Sequence, residues 1–446
     1  LASGVAWAPV GDSVYRVESG FATGHVTSEA GRLFRYASLE DLRTSRAGSP
    51  GGFFAAGTTL YVKFSDGRPA SRHVVHAARL DQAFVLDGVE FVGIDNLEIR
   101  HYGGAAPGVG VLLRNCLECV VRHTRIHEVQ RAGIWVEGGE RGRLEDNEIW
   151  DTSIAEWPWH QTNLSSADNH GIFFDGVGPR GFLIRRNHVW GLFDGIAPCG
   201  SLPPAGGVTT ETDLYDNLID AVVDDGVEAE PYCANLRMWG NRVRGGLMAF
   251  SVAPAAPGPT WIVRNVAFGY GASRAHSVWL ASALKINSGY EVTTGPILVY
   301  HNTFFTDVAG VDGVALLLPG RVVSIVARNN LIAGTRYALF KENPLPWNGD
   351  GNAFYSADPA RLVYWEGRTF ATLAEWAAAL GQERHGSVGA PLLIDPGGGN
   401  FEPGPGSPLV DRGLPLPGIN DRYLGPAPDI GAVESEARPS GLPRSQ

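Results

Sequence analysis

Hydrophobic and polar residues alternate within many short segments of the chain. Residues 133–137 (GIWVE) and 171–175 (GIFFD) are two examples. An alternation with period 2 predicts β-strands, because successive side chains of a strand point to opposite faces. A helix would need apolar residues at a spacing of 3.6, which these segments lack. We therefore expect a chain built mainly of short strands.

An asparagine followed closely by an apolar residue recurs along the middle of the chain. Asn217, Asn241 and Asn265 are spaced by 24 residues, and wider spacings carry insertions. The full set of markers is Asn96, Asn147, Asn187, Asn217, Asn241, Asn265, Asn302 and Asn330, with Thr124 in place of Asn once. A period of this size indicates stacked repeats. A side-chain amide that bonds to its copy in the next repeat explains the choice of Asn.

These patterns predict an all-β solenoid with three parts. Residues 1–80 read as short strands with one helical turn at 39–44, where Ser38 is a good N-cap. We expect them to form a small N-terminal β cap, because a solenoid end exposes strand edges that must be covered. Residues 81–357 carry the repeat. Residues 358–446 contain one helix at 372–380 and an irregular tail rich in Pro and Gly, expected to pack on the solenoid.

Composition narrows the function. The net charge of -11 and the near absence of Lys exclude a basic nucleic-acid surface. No run of about 18 apolar residues occurs. Cys116 and Cys119 form a CxxC without a second metal half-site, so we expect the cysteines to be buried or disulfide-bonded. The numbering begins at Leu1 without a charged and apolar leader. We expect a signal peptide to have been removed, and a location outside the cell or in the periplasm.

One strand of each coil can be aligned on the Gly or Ala that opens it. The aligned openers are Gly133, Gly171, Gly195, Gly226, Ala249 and Ala283. The next residues point inward and form a core stack: Ile134, Ile172, Ile196, Val227, Phe250 and Leu284. Alternation then predicts an outward face that carries Trp135, Phe173, Glu228, Lys285, Glu137, Asp175 and Glu230. Immediately before the strands stand His170, Asp194 and Asp225, with Asp224 beside the last.

This face concentrates carboxylates on neighbouring rungs, about 4.8 Å apart. Ionising a second carboxylate at that distance costs Coulomb energy, so at least one pKa is raised. The cluster then either binds a cation or holds a proton for general acid chemistry. The alternative is that Asp194 and Asp225 cap turns.

A long insertion, residues 151–169, enters immediately before His170 and carries Trp157, Trp159 and His160. Long loops beside one strand column build binding clefts. Trp157 and Trp159 suit the apolar faces of sugar rings, or they pack the loop down. We expect a substrate-binding set of Trp135, Phe173, Trp157, Trp159, His160 and Glu228.

The repeat, together with the ending 406–413 (GSPLVDRG) and 429–434 (DIGAVE), resembles the right-handed parallel β-helix proteins of the pectin-lyase-like type, secreted bacterial members among them. The site looks most like that of polygalacturonase-type glycoside hydrolases. Residues 192–194 (LFD), Asp224 with Asp225, and residues 284–286 (LKI) stand in the places of three of their motifs, but the Arg of the last one is absent. Residues 245–247 (GGL) lack the His of the remaining motif. The resemblance implies Asp225 as the general acid, and Asp194 and Asp224 as the holders of the water in an inverting hydrolysis.

Two other interpretations remain open. In a pectate-lyase-like enzyme or epimerase, Glu137, Asp175, Glu228 and Glu230 would hold Ca²⁺ through hard oxygen ligands, and Lys285 would abstract a proton. A non-catalytic carbohydrate-binding surface protein would share the aromatic residues without needing the Asp cluster. Under every interpretation we expect a monomer with a polysaccharide or oligosaccharide partner, and either no cofactor or Ca²⁺.

Overall fold

The computed structural model describes residues 6–46, 48–49, 51–152, 154, 157–165, 167–176, 178–200, 207–286, 292–317 and 319–435. The described chain has α-helices at Leu39–Thr44, Trp159–Thr162 and Leu373–Leu380, and 3₁₀ turns at Ala70–Arg72 and Arg274–Ser277. The predicted helix near 372–380 begins at an N-cap threonine, Thr372, with a capping box to Glu375. None of the described helices combines the length and the apolar character needed to cross a membrane.

The chain divides into two compact units. The first comprises Leu1–Thr209, Leu218–Glu228 and Ser273–Val278; the second comprises Thr210–Asn217, Ala229–Ala272 and Trp279–Gln446. Each unit is a stretch of right-handed parallel β-helix, in which every coil adds one strand to each parallel sheet. The predicted fold class is therefore confirmed. The short strand Thr209–Thr210 lies where the first unit passes into the second along the chain.

Three parallel sheets form the coils of the first unit. Sheet A contains Gln82–Asp87, Val109–Arg114, Ala132–Glu137, His170–Asp175, Asp194–Ala197 and Asp225–Glu228. Sheet B contains Gly93–Asp95, Val120–Arg122, Arg143–Glu145 and Leu183–Arg185. Sheet C contains Glu98–Tyr102, Arg125–Val129, Glu148–Trp150, His188–Trp190 and Leu218–Asp220.

The N-terminal residues form two small antiparallel sheets. One contains Ala8–Pro9, Val14–Glu18, Thr59–Lys63 and Gly52–Ala56, and the other contains Gly31–Arg32, Val26–Ser28 and Val75–Ala77. Val14, Phe34 and Leu42 of this region share a buried core with Trp157 and Phe193 of the coils. The cap thus packs against the insertion that precedes His170.

The end of the solenoid is less covered than expected from a cap. Phe84 of the first coil is 38% exposed, whereas Val111, its Cα partner on the next rung, is 0% exposed. Leu97 of the same coil is 40% exposed. The described cap residues therefore leave part of this end open. Part of their apolar surface is buried in a cluster of their own that includes Val17, Val26 and Phe53.

The second unit has the same architecture. Its parallel strands fall into four groups. The first two groups are Met248–Val252 with Ser282–Ile286, and Tyr232–Ala234 with Ala256–Pro257. The third group is Asp213–Tyr215, Leu236–Trp239, Thr260–Val263, Ile297–Tyr300, Ile325–Arg328 and Trp347–Asp350, and the fourth is Arg242–Arg244, Val266–Phe268, Thr303–Phe305, Leu331–Gly334, Ala353–Ser356 and Ser387–Val388. A further sheet contains Val314–Leu316, Leu339–Lys341, Val363–Trp365 and Arg368–Phe370, and the tail adds the antiparallel pair Leu393–Asp395 and Asn400–Pro403.

The asparagine markers form hydrogen-bonded ladders, as predicted. In the second unit each side-chain Nδ2 donates to the Oδ1 of the next Asn at 2.8–3.0 Å, in the order Asn217, Asn241, Asn265, Asn302, Asn330 and Asn352. In the first unit Asn147 donates to Asn187 at 2.9 Å.

Asn96, the first of the predicted markers, lies one residue before the ladder position. The strand that follows Leu97 is in register with the strand that follows Thr124, so Leu97 occupies the ladder position and Asn96 lies before it. Asn96 has a φ of 58°, a left-handed turn conformation that Asn tolerates well. The asparagine at position 96 is therefore explained by the left-handed turn and not by the ladder.

The cysteines agree with the sequence expectation. Cys116 and Cys119 are free and buried, and burial raises the pKa of the Cys116 thiol to about 12. The Cys116 thiol is therefore protonated and unreactive at neutral pH. Cys199 and Cys233 are each disulfide-bonded.

Candidate functional site

The predicted register of sheet A is confirmed. Ile134, Ile172 and Ile196 are Cα partners on successive rungs and are fully buried, and Ile196 pairs with Val227. Burying such a side chain contributes roughly 1.5–3 kcal/mol. A slip of one residue would turn every member of this stack to the other face, so the stack fixes which side chains face outward.

Glycine is the second residue of the sheet A strands that begin at Ala132, His170 and Asp194, because the next rung passes too close for any side chain. A Cβ added to Gly195 would lie 2.3 Å from the carbonyl oxygen of Gly226. The residue before each glycine stands at the corner of the coil. At that corner Ala132, His170 and Asp194 are Cα partners on three successive rungs.

A buried polar chain fixes this corner from the side of the insertion. Arg32 of the cap donates to the Oδ2 of Asp151 at 2.7 Å, and both side chains are almost fully buried. Asn169 donates its Nδ2 to the same Oδ2 at 2.9 Å and accepts the N–H of Phe193 at its Oδ1 at 2.9 Å. The residues preceding His170 and Asp194 are thereby tied together.

His170 is the centre of the cluster. Its Nε2 lies 3.1 Å from the Oε2 of Glu228 and 3.5 Å from the Oδ2 of Asp194. Its Nδ1 is buried, has no hydrogen-bond partner among the described residues, and lies 3.9 Å from the Oδ1 of Asp168. The ring tilts against Phe173 with 4.6 Å between centroids. Burial lowers the pKa of His170 to about 4, so the imidazole is neutral at pH 7.

Asp194 is the carboxyl group most strongly perturbed by its surroundings. It is 4% exposed, and its Oδ1 accepts the N–H of Asp225 at 2.9 Å. Burial in the first place, and then the negative charges of Glu228 and Asp168, raise its pKa well above the usual value. The surroundings of Asp194 therefore favour its protonated form.

The acidic residues differ in access to solvent. Asp225 is 1% exposed, whereas the side chain of Glu228 is 30% exposed. Asp224 is half-buried, and its N–H donates to the carbonyl oxygen of Phe193. Asp225, to which the resemblance gives the role of general acid, is thus the least accessible of the three.

The aromatic residues separate into a surface pair and a packing set. Trp135 and Phe173 are half-buried on the outward column and meet edge to face at 5.0 Å, with the guanidinium of Arg131 5.6 Å from the Phe173 ring. Trp157 is 4% exposed and packs on Phe34, so it has the second of its two predicted roles, that of packing the insertion down.

The two other aromatic residues of the insertion differ from Trp157. Trp159 is half-buried with its ring 6.2 Å from that of Phe193, and His160 is exposed. Of the three predicted contacts of the insertion, His160 is therefore exposed, Trp159 is partly accessible and Trp157 is buried.

The residues chosen as Ca²⁺ ligands have other partners. Glu137 and Asp175 are Cα partners, and the Oε2 of Glu137 accepts from the Nε of Arg114 at 2.6 Å. Glu230 belongs to the second unit, where its Oε1 lies 3.1 Å from the Nζ of Lys285. Ser251 also donates to that carboxylate. The Ca²⁺ site stays a prediction.

A second arrangement has the spacing of a metal site. Asp168, His170 and Asp194 each offer a ligand atom, and the three atoms lie within 4.8 Å of one another. The guanidinium of Arg131, 3.4 Å from the Oδ1 of Asp168, already supplies positive charge there. We therefore assign no metal to it.

Sequence reasoning did not include Asp168, which faces the Nδ1 of His170. Leu164 donates its N–H to the Oδ2 of Asp168 at 2.8 Å, so the insertion itself holds this carboxylate in place. The signal available in the sequence was the polar run Asp168, Asn169 and His170 at the entry to an apolar strand.

Comparison with known proteins finds similar folds only. No protein-family model and no curated protein matches the chain. A structure of XylC in complex with xylose is 13% identical with a TM-score of 0.44, over 79% of this chain and 63% of that one. Pectate lyase Pel9A is 14% identical with a TM-score of 0.41, over 73% of each chain. This chain thus spans less than two thirds of the length of XylC.

Proposed function

We propose that this protein is a polysaccharide-active enzyme, and specifically a glycoside hydrolase in which Asp194 is the acid and Glu228 the second carboxylate. One observation carries the proposal. A buried carboxyl with a raised pKa and a partly exposed carboxylate both contact the Nε2 of His170. Two carboxyl groups whose surroundings separate their protonation states are what glycoside hydrolysis requires.

The separation of this pair favours retention of configuration. The Asp194 and Glu228 oxygens lie 3.5 Å and 3.1 Å from the same nitrogen, so they are at most about 6.6 Å apart, the two contacts laid end to end. Inversion needs roughly 6.5–9.5 Å to admit a water, whereas retention needs about 5–5.5 Å. Glu228 is then the nucleophile and Asp194 the acid and base, in contrast to the inverting scheme with Asp225 that the resemblance implies.

Trp135 and Phe173 support a sugar substrate. They stand on the outward column of sheet A, next to the rungs that carry His170 and Asp194. Aromatic faces pack well on the apolar faces of sugar rings. Loops emerging beside this column give a long chain room to lie across several rungs.

The lyase alternative has less support. A lysine that acts as a base must be neutral, whereas the Nζ of Lys285 lies 3.1 Å from a carboxylate oxygen of Glu230, which favours the charged form. A non-catalytic carbohydrate-binding surface would have no use for a protonated Asp194 beside Glu228. Export to the periplasm or the medium is part of the proposal, and the disulfide-bonded Cys199 and Cys233 support it.

The test is a screen of the purified protein against plant, algal and bacterial polysaccharides, with and without EDTA. New reducing ends without absorbance of an unsaturated uronide, unaffected by EDTA, are expected. Absorbance that disappears with EDTA would instead support a Ca²⁺-dependent lyase in which Lys285 is the base. Asp194→Asn and Glu228→Gln are each expected to lower kcat at least 10³-fold, whereas Glu140→Gln, at an exposed carboxylate, leaves it unchanged.

Stereochemistry tests the assignment of the pair independently. NMR spectra recorded in the first minutes of hydrolysis should show the product with the anomeric configuration of the substrate. Product of the opposite configuration would refute Glu228 as nucleophile and return the acid role to Asp225.

A further inference from the structure

His170 contacts two carboxyl groups through a single nitrogen. The strand His170–Asp175 lies one rung from Asp194–Ala197, which brings the Oδ2 of Asp194 to 3.5 Å from the Nε2. Glu228 reaches the same nitrogen from its own strand at 3.1 Å. A neutral imidazole with its proton on Nε2 has one N–H to donate, so it serves the two carboxyls in turn rather than together.

The ring has little freedom to turn away from this position. It is 4% exposed and packs against Phe173, and its other edge faces Asp168. Arg131 donates to the backbone oxygen of Asp168 and lies 3.4 Å from its carboxylate. The charged groups that face His170 and Asp194 are Asp168, Arg131, Asp224, Asp225 and Glu228.

The negative charge in a retaining hydrolysis moves between these carboxyls. The proposed assignment takes Glu228 as ionised and Asp194 as protonated in the free enzyme. In the first step an oxygen of Glu228 bonds to the anomeric carbon, the glycosidic bond breaks towards its oxygen, and the proton of Asp194 passes to that oxygen. Glu228 is now a neutral ester and Asp194 is ionised. Water then gives its proton to Asp194 and its oxygen to the anomeric carbon, and Glu228 leaves as a carboxylate.

We propose that the Nε2–H of His170 follows this charge, donating to Glu228 in the free enzyme and to Asp194 in the glycosyl-enzyme. His170 is thus a positioning residue that stabilises whichever carboxyl is ionised. This inference rests on the proposed hydrolysis. A hydrogen bond to an ionised carboxylate lowers its pKa, so loss of the donor alters pH dependence as well as rate.

The experiment compares His170→Ala and His170→Gln with the intact enzyme on the glycan found in the screen. Gln keeps an N–H donor of similar reach, and Ala does not. We expect the acidic limb of kcat/KM to move up by about one to two pH units in His170→Ala. It should move less than half as far in His170→Gln. The exposed His123, replaced by Gln, is the matched control and should leave the profile unchanged.

A second readout does not need turnover. In folded wild-type, His170→Gln and His170→Ala protein, selectively ¹³C-labelled carboxyl groups report the titration of Glu228 by NMR, with Glu228→Gln to assign its signal. A higher pKa of Glu228 in His170→Ala than in the other two would support the inference.

Unchanged pH limbs in an active His170→Ala enzyme would overturn the inference. So would equal limbs in the Ala and Gln variants. If His170→Ala does not fold, His170→Met, which also lacks an N–H donor, takes its place in both readouts. A higher Glu228 pKa and acidic limb in the Met variant than in the Gln variant support the inference, and equal values overturn it. Failure of the wild type to hydrolyse any glycan refutes the proposed function itself, and this inference with it.

Discussion

Glu383 terminates the asparagine ladder of the second unit and should make stability depend on pH. Its Oε2 accepts the backbone N–H of Asn352 at 3.0 Å, and its Oε1 accepts the Nδ2 of Asn352 at 2.7 Å. Glu383 is 2% exposed, and this burial raises the pKa of its carboxyl group from 4.5 to about 7. The perturbation we consider is Glu383→Gln, which keeps the shape and removes the titration.

The magnitude follows from the pKa difference. The unfolded chain releases the Glu383 proton near pH 4.5, while the folded chain holds it to about pH 7. The folded state therefore binds more protons between these values, and the free energy of unfolding falls as pH rises. The stabilisation by the protonated form is fully present below pH 4.5 and lost by pH 7. A difference of two and a half pKa units corresponds to about 3 kcal/mol.

The assay is denaturant unfolding of wild type and Glu383→Gln from pH 4 to pH 8.5. Gln offers one acceptor fewer to Asn352, which adds a constant cost at every pH. The difference in unfolding free energy between the variants should nevertheless change by about 3 kcal/mol in favour of Gln across the range. A difference that stays constant within about 0.5 kcal/mol would refute the reasoning. Glu140→Gln, at an exposed site, is the control.

Three further changes test the core, the ladder and the site. Phe182→Ala removes a fully buried ring that meets Phe174 edge to face at 5.2 Å, and calorimetry should show a loss of about 3–5 kcal/mol; a loss under about 1 kcal/mol would contradict that packing. Asn265→Ala removes the oxygen that accepts two N–H groups of Asn241, and the free energy of unfolding in urea should fall by about 2–4 kcal/mol. A negligible change would mean that water replaces the lost acceptor. As pH falls from 6.5 to 4, the free energy of unfolding of wild type should fall by about 3 kcal/mol relative to that of His170→Gln, because His170 is neutral in the folded chain and protonated in the unfolded chain. Parallel curves of unfolding free energy against pH for the two proteins would contradict this prediction.

The part of the fold that repeats could be predicted from the sequence. Ile134, Ile172 and Ile196 lie in separate coils, yet alternation and the opening glycine placed them on one stack, which the strand pairing confirms. The ladder was predictable for the same reason. A stacked amide satisfies its donors and acceptors only if its neighbours are also amides, so selection leaves the same residue at a fixed interval.

The ends of the repeat were harder to predict because the pattern changes chemically there. Asn352 has no further asparagine to donate to, and a carboxylate supplies the two acceptors that it needs. Glu383 follows a helix and carries no marker of the repeat. At the other end Leu97 replaces the amide, and Asn96 beside it gave a false match.

The insertion shows why the contacts of the site could not be predicted. Trp157 and Trp159 are equally aromatic in the sequence, but Trp157 is buried against the cap and Trp159 only in part. Which of them faces a substrate depends on contacts with Phe34, which is more than a hundred residues away. Asp168 likewise became visible only through its distance to the ring of His170.

The residues of the proposed site lie where the repeat is broken. Ala132, His170 and Asp194 occupy the same corner on three rungs, and a small apolar residue suffices there for the fold. An ionisable group buried at such a corner costs stability unless a partner compensates it. Two such groups in succession, with Glu228 and Asp168 directed at the same ring, therefore support the proposal of a functional site at this corner. Within a solenoid, a change from apolar to titratable residues along one buried column is thus a stronger functional signal than any short motif.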